Sequence, residues 1–373
     1  MNVHSNSPAY KLPRLGLHID GPLFILIMIM ASFGMIILYS AASQSMAVLI
    51  RQFMRLGAAI ALMLFLAFIP PHKYKNWTPP LYFLGLILLI AVMVIGKIGK
   101  GAQRWLDLGF FRFQPSEIMK LAVPMMIAWY VDKKKIPMSA STVIICGLLM
   151  FIPCGLIAKQ PDLGTAIMVA IAGGSVLFAA GLAWQIFAVG ALGIAVSAPF
   201  LWHFLHDYQK KRLITLIHPE QDPLGSGYHI IQSKIAIGSG GTMGKGWLHG
   251  TQAHLNFLPE HATDFIFAVC GEEFGLFGGT IIIILLLLIT FRGLYLAKNA
   301  HSTFTRLLAT SLISTFFLSG FVNIAMVMGV LPVVGIPLPL VSYGGTAMLT
   351  FFAFFGVIMS IGTHHLMFEE EMK

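Results

Sequence analysis

Charge is what this chain has least of. Only 10% of its 373 residues are Asp, Glu, Lys or Arg, where a soluble domain carries about a quarter. That deficit, with 57% hydrophobic residues, excludes a soluble globular fold. No hydrophilic block is long enough to form a separate catalytic domain, so the activity resides in or at a bilayer. Cysteine is scarce too. Cys146, Cys154 and Cys270 all fall in apolar stretches. The first two lie about two turns apart on one expected helix, and no disulfide framework or CxxC motif exists. The thirteen histidines show no zinc-ligand spacing, and no nucleophile elbow, haem motif or electron-carrier signature is found. The first twenty or so residues are polar and lack a small-residue cleavage site, so no cleaved leader is predicted there. The net charge of +9 does not indicate nucleic acid, because the basic residues are spread between apolar spans and form no stripe.

What the chain has in abundance is apolar runs of spanning length. Ten are expected, at roughly 23–42, 48–69, 79–97, 116–132, 141–158, 163–182, 184–203, 264–291, 304–330 and 343–364. The fold class is therefore an all-α polytopic membrane protein. It forms a single integral domain over 1–373, with one long connection at 206–263 between the seventh and eighth spans. The stretch "AAGLAW" must be a tight turn. An even count places both termini on one side. Lys11, Arg14, Lys73, Lys75, Lys133, Lys134, Lys135, Arg292, Lys298, Arg306 and Lys373 make that side cytoplasmic. Trp77, Trp129 and Trp184 then fall at the inner interface and Trp202 at the outer. Most acids map to the opposite, outer side, which the positive-inside rule does not explain. The connection 206–263 lies there too. Its mixture of basic, aromatic and glycine-rich pieces predicts an ordered segment, and long connections in compact proteins are commonly functional.

Several polar constellations sit at or within the apolar boundary. In "LPEHATDFIFAVCGEEFG" (258–275), Asp264 stands where an apolar run begins, and Glu272 and Glu273 lie deeper. On a continuous helix, Glu273 would point opposite Asp264 and Glu272 about 80° away. Those two read as buried partners of cations or polar groups. "GAQRWLDLGFFRFQPSEIMK" (101–120) reads as an interfacial segment leading into a helix at Pro115. Glu117 and Lys120 face each other at i,i+3, which on an exposed helix is ordinary. At membrane depth such a pair points to function. In "KQPDLGT" (159–165), Asp162 is expected as a helix N-cap. Lys210, Lys211 and Arg212 form a cation cluster suited to lipid headgroups or a phosphate. "GSGGTMGKG" (238–246) is not a nucleotide loop. Ser239 stands where the first glycine belongs, and Gly246 where Ser or Thr is needed. Its glycines are read as allowing tight turns or close backbone approach. "LPVVGIPLPLVSYGG" (331–345) cannot be regular helix. Non-helical backbone at membrane depth survives only when buried in protein or lining a cavity, with Ser342 and Tyr343 offering polar groups.

Taken together, "GAQRWLDLGFFRFQPSEIMKLAVP", "QPDLGT", "DPLGSGYHIIQSKIAIGSGGTMGKGWLHGTQ", "FLPEHATDFIFAVCGEEFG" and "LPVVGIPLPLVSYGG" resemble the SEDS family (shape, elongation, division and sporulation). They occur in family order over nearly the whole chain. "GKGWLHGTQ" and "VVGIPLPLVSYGG" look more like the elongation branch than the division branch. The resemblance implies ten transmembrane helices in the bacterial inner membrane. It implies a peptidoglycan glycosyltransferase, a hexosyltransferase that polymerises lipid II outside that membrane during cell elongation. The implied partners are a class B penicillin-binding protein, other elongation-complex proteins and membrane lipid. Carried over by motif, the family's essential aspartate matches Asp264, and its fourth-helix pair matches Glu117 and Lys120. Arg112 and Gln114 fall in the same motif.

The chemistry expected of these residues is an inverting displacement. It needs a base on the attacking 4-hydroxyl and positive charge on the departing diphosphate. It does not need a second carboxylic acid, as glycosidases do. Asp264 is assigned the base. Lys120, Arg112, Lys210, Lys211 and Arg212 are the diphosphate candidates, and Glu117 orients Lys120. A divalent cation, magnesium or manganese, could share the diphosphate's charge, although no all-protein metal cage is visible. The alternative is a lipid II flippase, which intramembrane charges also fit, but no clear inverted repeat is present. A scaffold that only recruits partners leaves the acids at membrane depth unexplained.

Overall fold

The structure, a computed structural model, describes residues 18–99, 102–107, 112–134, 138–204, 207–222, 225–254 and 260–371. The chain runs α1 Gly21–Ala41, α2 Met46–Ala67, α3 Pro71–Ile95, β1 Lys97–Gly99, β2 Ala102–Asp107, β3 Arg112–Phe113 and α4 Pro115–Val131. It continues with α5 Ala140–Lys159, α6 Leu163–Ala179, α7 Trp184–Phe204, α8 Asp207–Ile217 and a 3-10 turn Pro219–Gln221. Last come α9 Ser226–Gly240, α10 Thr251–His254, α11 Ile266–Lys298, α12 Thr303–Val327 and α13 Gly345–Glu371. Each expected apolar run falls on a helix. Seven of these (α1, α2, α3, α5, α11, α12 and α13) are long and apolar enough to cross a membrane. The chain is a multi-pass membrane protein. Helices α4 and α6 are shorter, 17 residues each, and α7 is apolar over Trp184–Ser197.

One feature departs from the expected all-α reading. The segment before α4 is a small antiparallel sheet in the order β1-β2-β3, with Lys97 opposite Trp105 and Asp107 opposite Arg112. Its aromatic and charged alternation, read as interfacial, is the period-2 pattern of a strand. Over its described residues the connection 206–263 carries α8, α9 and α10, which the sequence reading did not foresee.

The core is built around α12, α4 and the first part of α13, whose apolar side chains are buried on most faces. Small polar residues draw α12 against α6, where the Ser311 hydroxyl donates to the Ala172 carbonyl (2.7 Å) and the Ser175 hydroxyl meets Ser311 (2.9 Å). Such contacts hold membrane helices together where the hydrophobic effect supplies no driving force between them.

Two carboxylates tie down one end of the bundle. Asp132 accepts from Lys75 Nζ (2.6 Å) and from the Phe304 amide at the start of α12 (2.9 Å). Asp20 caps α1 through the Leu23 amide (2.9 Å) and takes a two-pronged bond from Arg292 Nε (2.9 Å) and an Arg292 terminal nitrogen (2.6 Å). A planar fork matched to a carboxylate is a strong pairing. Asp20→Ala is therefore expected to lower stability by about 2 kcal/mol or more, through loss of the cap and of the Arg292 partner. The measurement is thermal unfolding in detergent; an unchanged midpoint would refute the assignment.

Candidate active site

Asp264 lies in a turn at 260–265 and not in the helix, which starts at Ile266. The residue is half-buried. Three consecutive main-chain carbonyls of this turn are taken by donors from elsewhere. The Tyr343 amide donates to Ala262 O (2.9 Å), the Ser342 hydroxyl to Thr263 O (2.6 Å) and Asn323 Nδ2 to Asp264 O (2.8 Å). The Ser342 hydroxyl also accepts from the Leu338 amide (2.8 Å). Gln52 Nε2 reaches the Ser342 carbonyl at 3.3 Å, and the Arg55 guanidinium covers the Tyr343 ring at 4.5 Å. The irregular stretch between α12 and α13 thus forms a wall beside the turn, as expected of non-helical backbone buried in protein. A Cβ on Gly335 would stand 3.5 Å from Asp264 Oδ2, so this wall approaches the carboxylate itself.

The second group gathers at the start of α4. Glu117 and Lys120 are both buried, with Lys120 Nζ donating to Glu117 Oε1 at 2.6 Å. Glu117 Oε2 has no hydrogen-bond partner among the described residues. Asp162 caps α6, as expected, through the Thr165 amide (3.3 Å) and hydroxyl (2.9 Å). It also accepts from Gln114 Nε2 at 3.0 Å and pairs with Arg104 at 3.7 Å. Arg104 in turn donates to the Pro161 carbonyl. Asp162 is thus both a helix cap and the node joining β2, the α4 start and α6.

The two groups share a neighbour. A Cβ on Gly164 would lie 2.6 Å from Val334 O, and the next residue, Gly335, faces Asp264. Residues 334 and 335 therefore touch the α6 start on one side and the aspartate on the other. Lys210, Lys211 and Arg212 sit on α8, which packs on α9 and the turn Pro219–Gln221. Lys211 is paired with Asp222 at 2.9 Å. Arg112 lies on β3 opposite Asp107.

A buried ion pair is fragile to the loss of one member. Lys120→Met leaves Glu117 as an uncompensated buried charge, and destabilisation by about 3–5 kcal/mol is expected. Lys120→Met with Glu117→Gln should recover much of it, since the isolated charge is then gone. Equal melting temperatures for the single and double variants would contradict the pairing.

Glu272 and Glu273 form a separate assembly. Helix α11 is broken at Gly275 (φ 63°, ψ −155°). In an unbroken helix the amides of residues 276 and 277 would donate to the carbonyls of 272 and 273. Here the loop after α9 takes up all four groups. Lys245 N donates to Glu272 O (2.9 Å) and Gly246 N to Glu273 O (3.0 Å). Leu276 N donates to Gly241 O (3.0 Å) and Phe277 N to Thr242 O (3.2 Å). Glycine is required where the two backbones meet, because Gly244 and Gly275 both have positive φ and any Cβ would strike the opposite main chain. The Glu272 carboxylate, fully buried, accepts from Lys245 Nζ (2.7 Å), the Thr251 amide (2.8 Å) and hydroxyl (3.0 Å), and the Gln252 amide (3.1 Å). Glu273 accepts from Ser40 on α1, and Trp247 Nε1 donates to the Ile36 carbonyl (3.2 Å). The expectation that these acids are buried partners of cations and polar groups holds. The continuous-helix projection from Asp264 does not, because Asp264 precedes the helix.

Sequence reading missed Asn323, Gln52, Arg55 and Arg104. For the first three the signal was present: single amides or cations inside long apolar runs, which are expensive in lipid.

The model of the FtsW/RodA/SpoVE family, described as cell cycle proteins, matches residues 21–366. The peptidoglycan glycosyltransferase MrdB of Escherichia coli K12 is 49% identical over 356 residues, covering 95% of this chain and 96% of that protein. A probable peptidoglycan glycosyltransferase FtsW of Trichlorobacter lovleyi is 38% identical over 92% of each chain. Among solved structures, a chain described under "Structural coordination of polymerization and crosslinking by a peptidoglycan synthase complex" superposes with a TM-score of 0.81. It is 32% identical and covers 93% of this chain and 98% of that one. The rod shape determining protein RodA of Thermus thermophilus gives a TM-score of 0.71 at 28% identity, covering 92% and 96%.

Proposed function

The chain belongs to the FtsW/RodA/SpoVE family, and on that premise we propose that it is a peptidoglycan glycosyltransferase that polymerises lipid II. The observation that carries the mechanism is the half-buried Asp264, its main chain pinned by three partners and its carboxylate beside the 331–344 wall. In the transfer, Asp264 takes the proton from the 4-hydroxyl of one sugar. The freed oxygen attacks the anomeric carbon of the next from the face opposite the leaving group. The bond from that carbon to the phosphate oxygen breaks, and undecaprenyl diphosphate departs with the electron pair. Inversion converts an α-linked donor to a β-linked product. Lys120, Arg112 and the Lys210, Lys211 and Arg212 cluster are the candidates for holding the diphosphate. Glu117 orients Lys120, and Gln114 braces Asp162.

A magnesium or manganese ion sharing the diphosphate's charge would take one or two carboxylates together with the substrate's own oxygens. Among the described residues no group of three His, Cys, Asp or Glu is assembled to hold an ion, and no step is assigned to one.

In this reading ten helices cross the bacterial inner membrane. Helices α4 and α6, at 17 residues each, are at the short limit for a span of about 17–25 residues. Both termini are cytoplasmic. The end held by Asp20, Asp132, Lys75 and Arg292 faces the cytoplasm, and Asp264 opens to the outside, where lipid II presents its sugars. A class B penicillin-binding protein cross-links the product, within a larger elongation complex. The test is to incubate the purified protein with lipid II, with and without that partner, and to score glycan chains against lipid translocation. Chains without translocation support the reading; translocation without chains replaces it with a flippase.

A further inference from the structure

We propose that Asn323 is a positioning residue for Asp264, and that Ser342 is its companion; the proposal rests on Asp264 being the base. Asn323 is fully buried near the end of α12. Its carboxamide nitrogen donates in two directions, to Asp264 O (2.8 Å) and to Ile336 O (2.7 Å). The first acceptor belongs to the base's own residue. The second is one residue from Gly335, the part of the wall that faces the Asp264 carboxylate. One NH2 group thus ties together the main chain beneath the carboxylate and the main chain opposite it. That group carries two hydrogens, so both bonds can be made at once.

The turn itself needs such a clip. Its carbonyls at 262, 263 and 264 precede the helix and are held by donors from α12 and the 331–344 stretch. Without those donors the carbonyls would be unsatisfied in a largely buried site, and the turn would be free to rotate towards other partners. A base must be held close to productive geometry. A misplacement of about 1 Å is enough to lower the rate by about a hundredfold. Asn323 is fully buried, so it offers no surface to sugar or diphosphate. Its effect should therefore fall on the chemical step and leave substrate capture alone.

The experiment compares Asn323→Leu, Ser342→Ala and Asp264→Asn with the unaltered protein, in complex with its transpeptidase. Leu is close to Asn in shape and lacks both donor hydrogens. Measured are kcat and KM for lipid II polymerisation, the kcat–pH profile, and the thermal midpoint. For Asn323→Leu the expected result is a kcat lower by about tenfold or more with KM within about twofold, and a displaced acid limb of the profile. Ser342→Ala should show the same pattern more weakly. Ser342→Ala removes one hydroxyl and keeps the claim testable if the Leu variant does not fold. An inactive Asp264→Asn beside an Asn323→Leu or Ser342→Ala of normal kcat and unshifted profile overturns the positioning role alone. So does a lowered midpoint with normal kcat per folded molecule. An active Asp264→Asn overturns the base assignment and this proposal together.

Discussion

Asp264→Asn will abolish glycan polymerisation and leave the protein folded. The two side chains have nearly the same shape, but the amide cannot take a proton from a sugar hydroxyl. The clips on the turn from Tyr343, Ser342 and Asn323 all end on main-chain carbonyls, so they survive the exchange. The loss is therefore chemical. General-base catalysis contributes about 10²–10⁴-fold, and the rate should fall by at least that much. The measurement is polymer length and yield from lipid II, beside a thermal midpoint and capture of the transpeptidase. Polymerisation at the unaltered rate would falsify the assignment.

Glu272→Ala carries an expected effect on stability as large as that of Lys120→Met. The wild-type carboxylate is fully buried and is met by Lys245, Thr251 and Gln252. Removing it leaves Lys245 without its partner and leaves the amides at the start of α10 unsatisfied. Breaking a buried pair in this way costs about 3–5 kcal/mol, enough to lower the thermal midpoint by several degrees. Release of residues 240–254 should accompany it, seen as tryptic cleavage after Lys245. Lys245→Met should be similar in kind, since Glu272 then remains as a buried charge. A Glu272→Ala protein that melts normally and resists trypsin would show that the loop is held by other means.

Local signals in the sequence were reliable and long-range ones were not. The Asp162 cap and the Glu117–Lys120 pair were legible because each depends on residues three apart on one helix. The long apolar runs were legible because lipid demands them. The β2–β3 hairpin was obscured. Strands of six and two residues rich in aromatics look the same as an interfacial segment. The break at Gly275 was also hidden, because a glycine in an apolar run is ordinarily tolerated within a helix. What supports the break is a loop some thirty residues earlier, which no period in the sequence announces. Asn323 was legible as a lone amide in an apolar run, but its partners, 59 and 13 residues away, were not. Lys211 was readable as a cation, but its pairing with Asp222 depended on how α8 folds back.

The splice between the 240–246 loop and α11 bears on what can move. A loop that closes over a substrate must be able to open, and opening must cost little. To swing away here, the loop would strip the carbonyls of Glu272 and Glu273 and the amides of Leu276 and Phe277 of their bonds at once. Those four groups can pair with one another only if Gly275 returns to helical backbone, so the loop cannot leave unless α11 rearranges with it. Loop and helix should therefore exchange their amide hydrogens with deuterium as one cooperative unit. This part of the protein is a fixed wall, not a lid, because loop and helix can move only together.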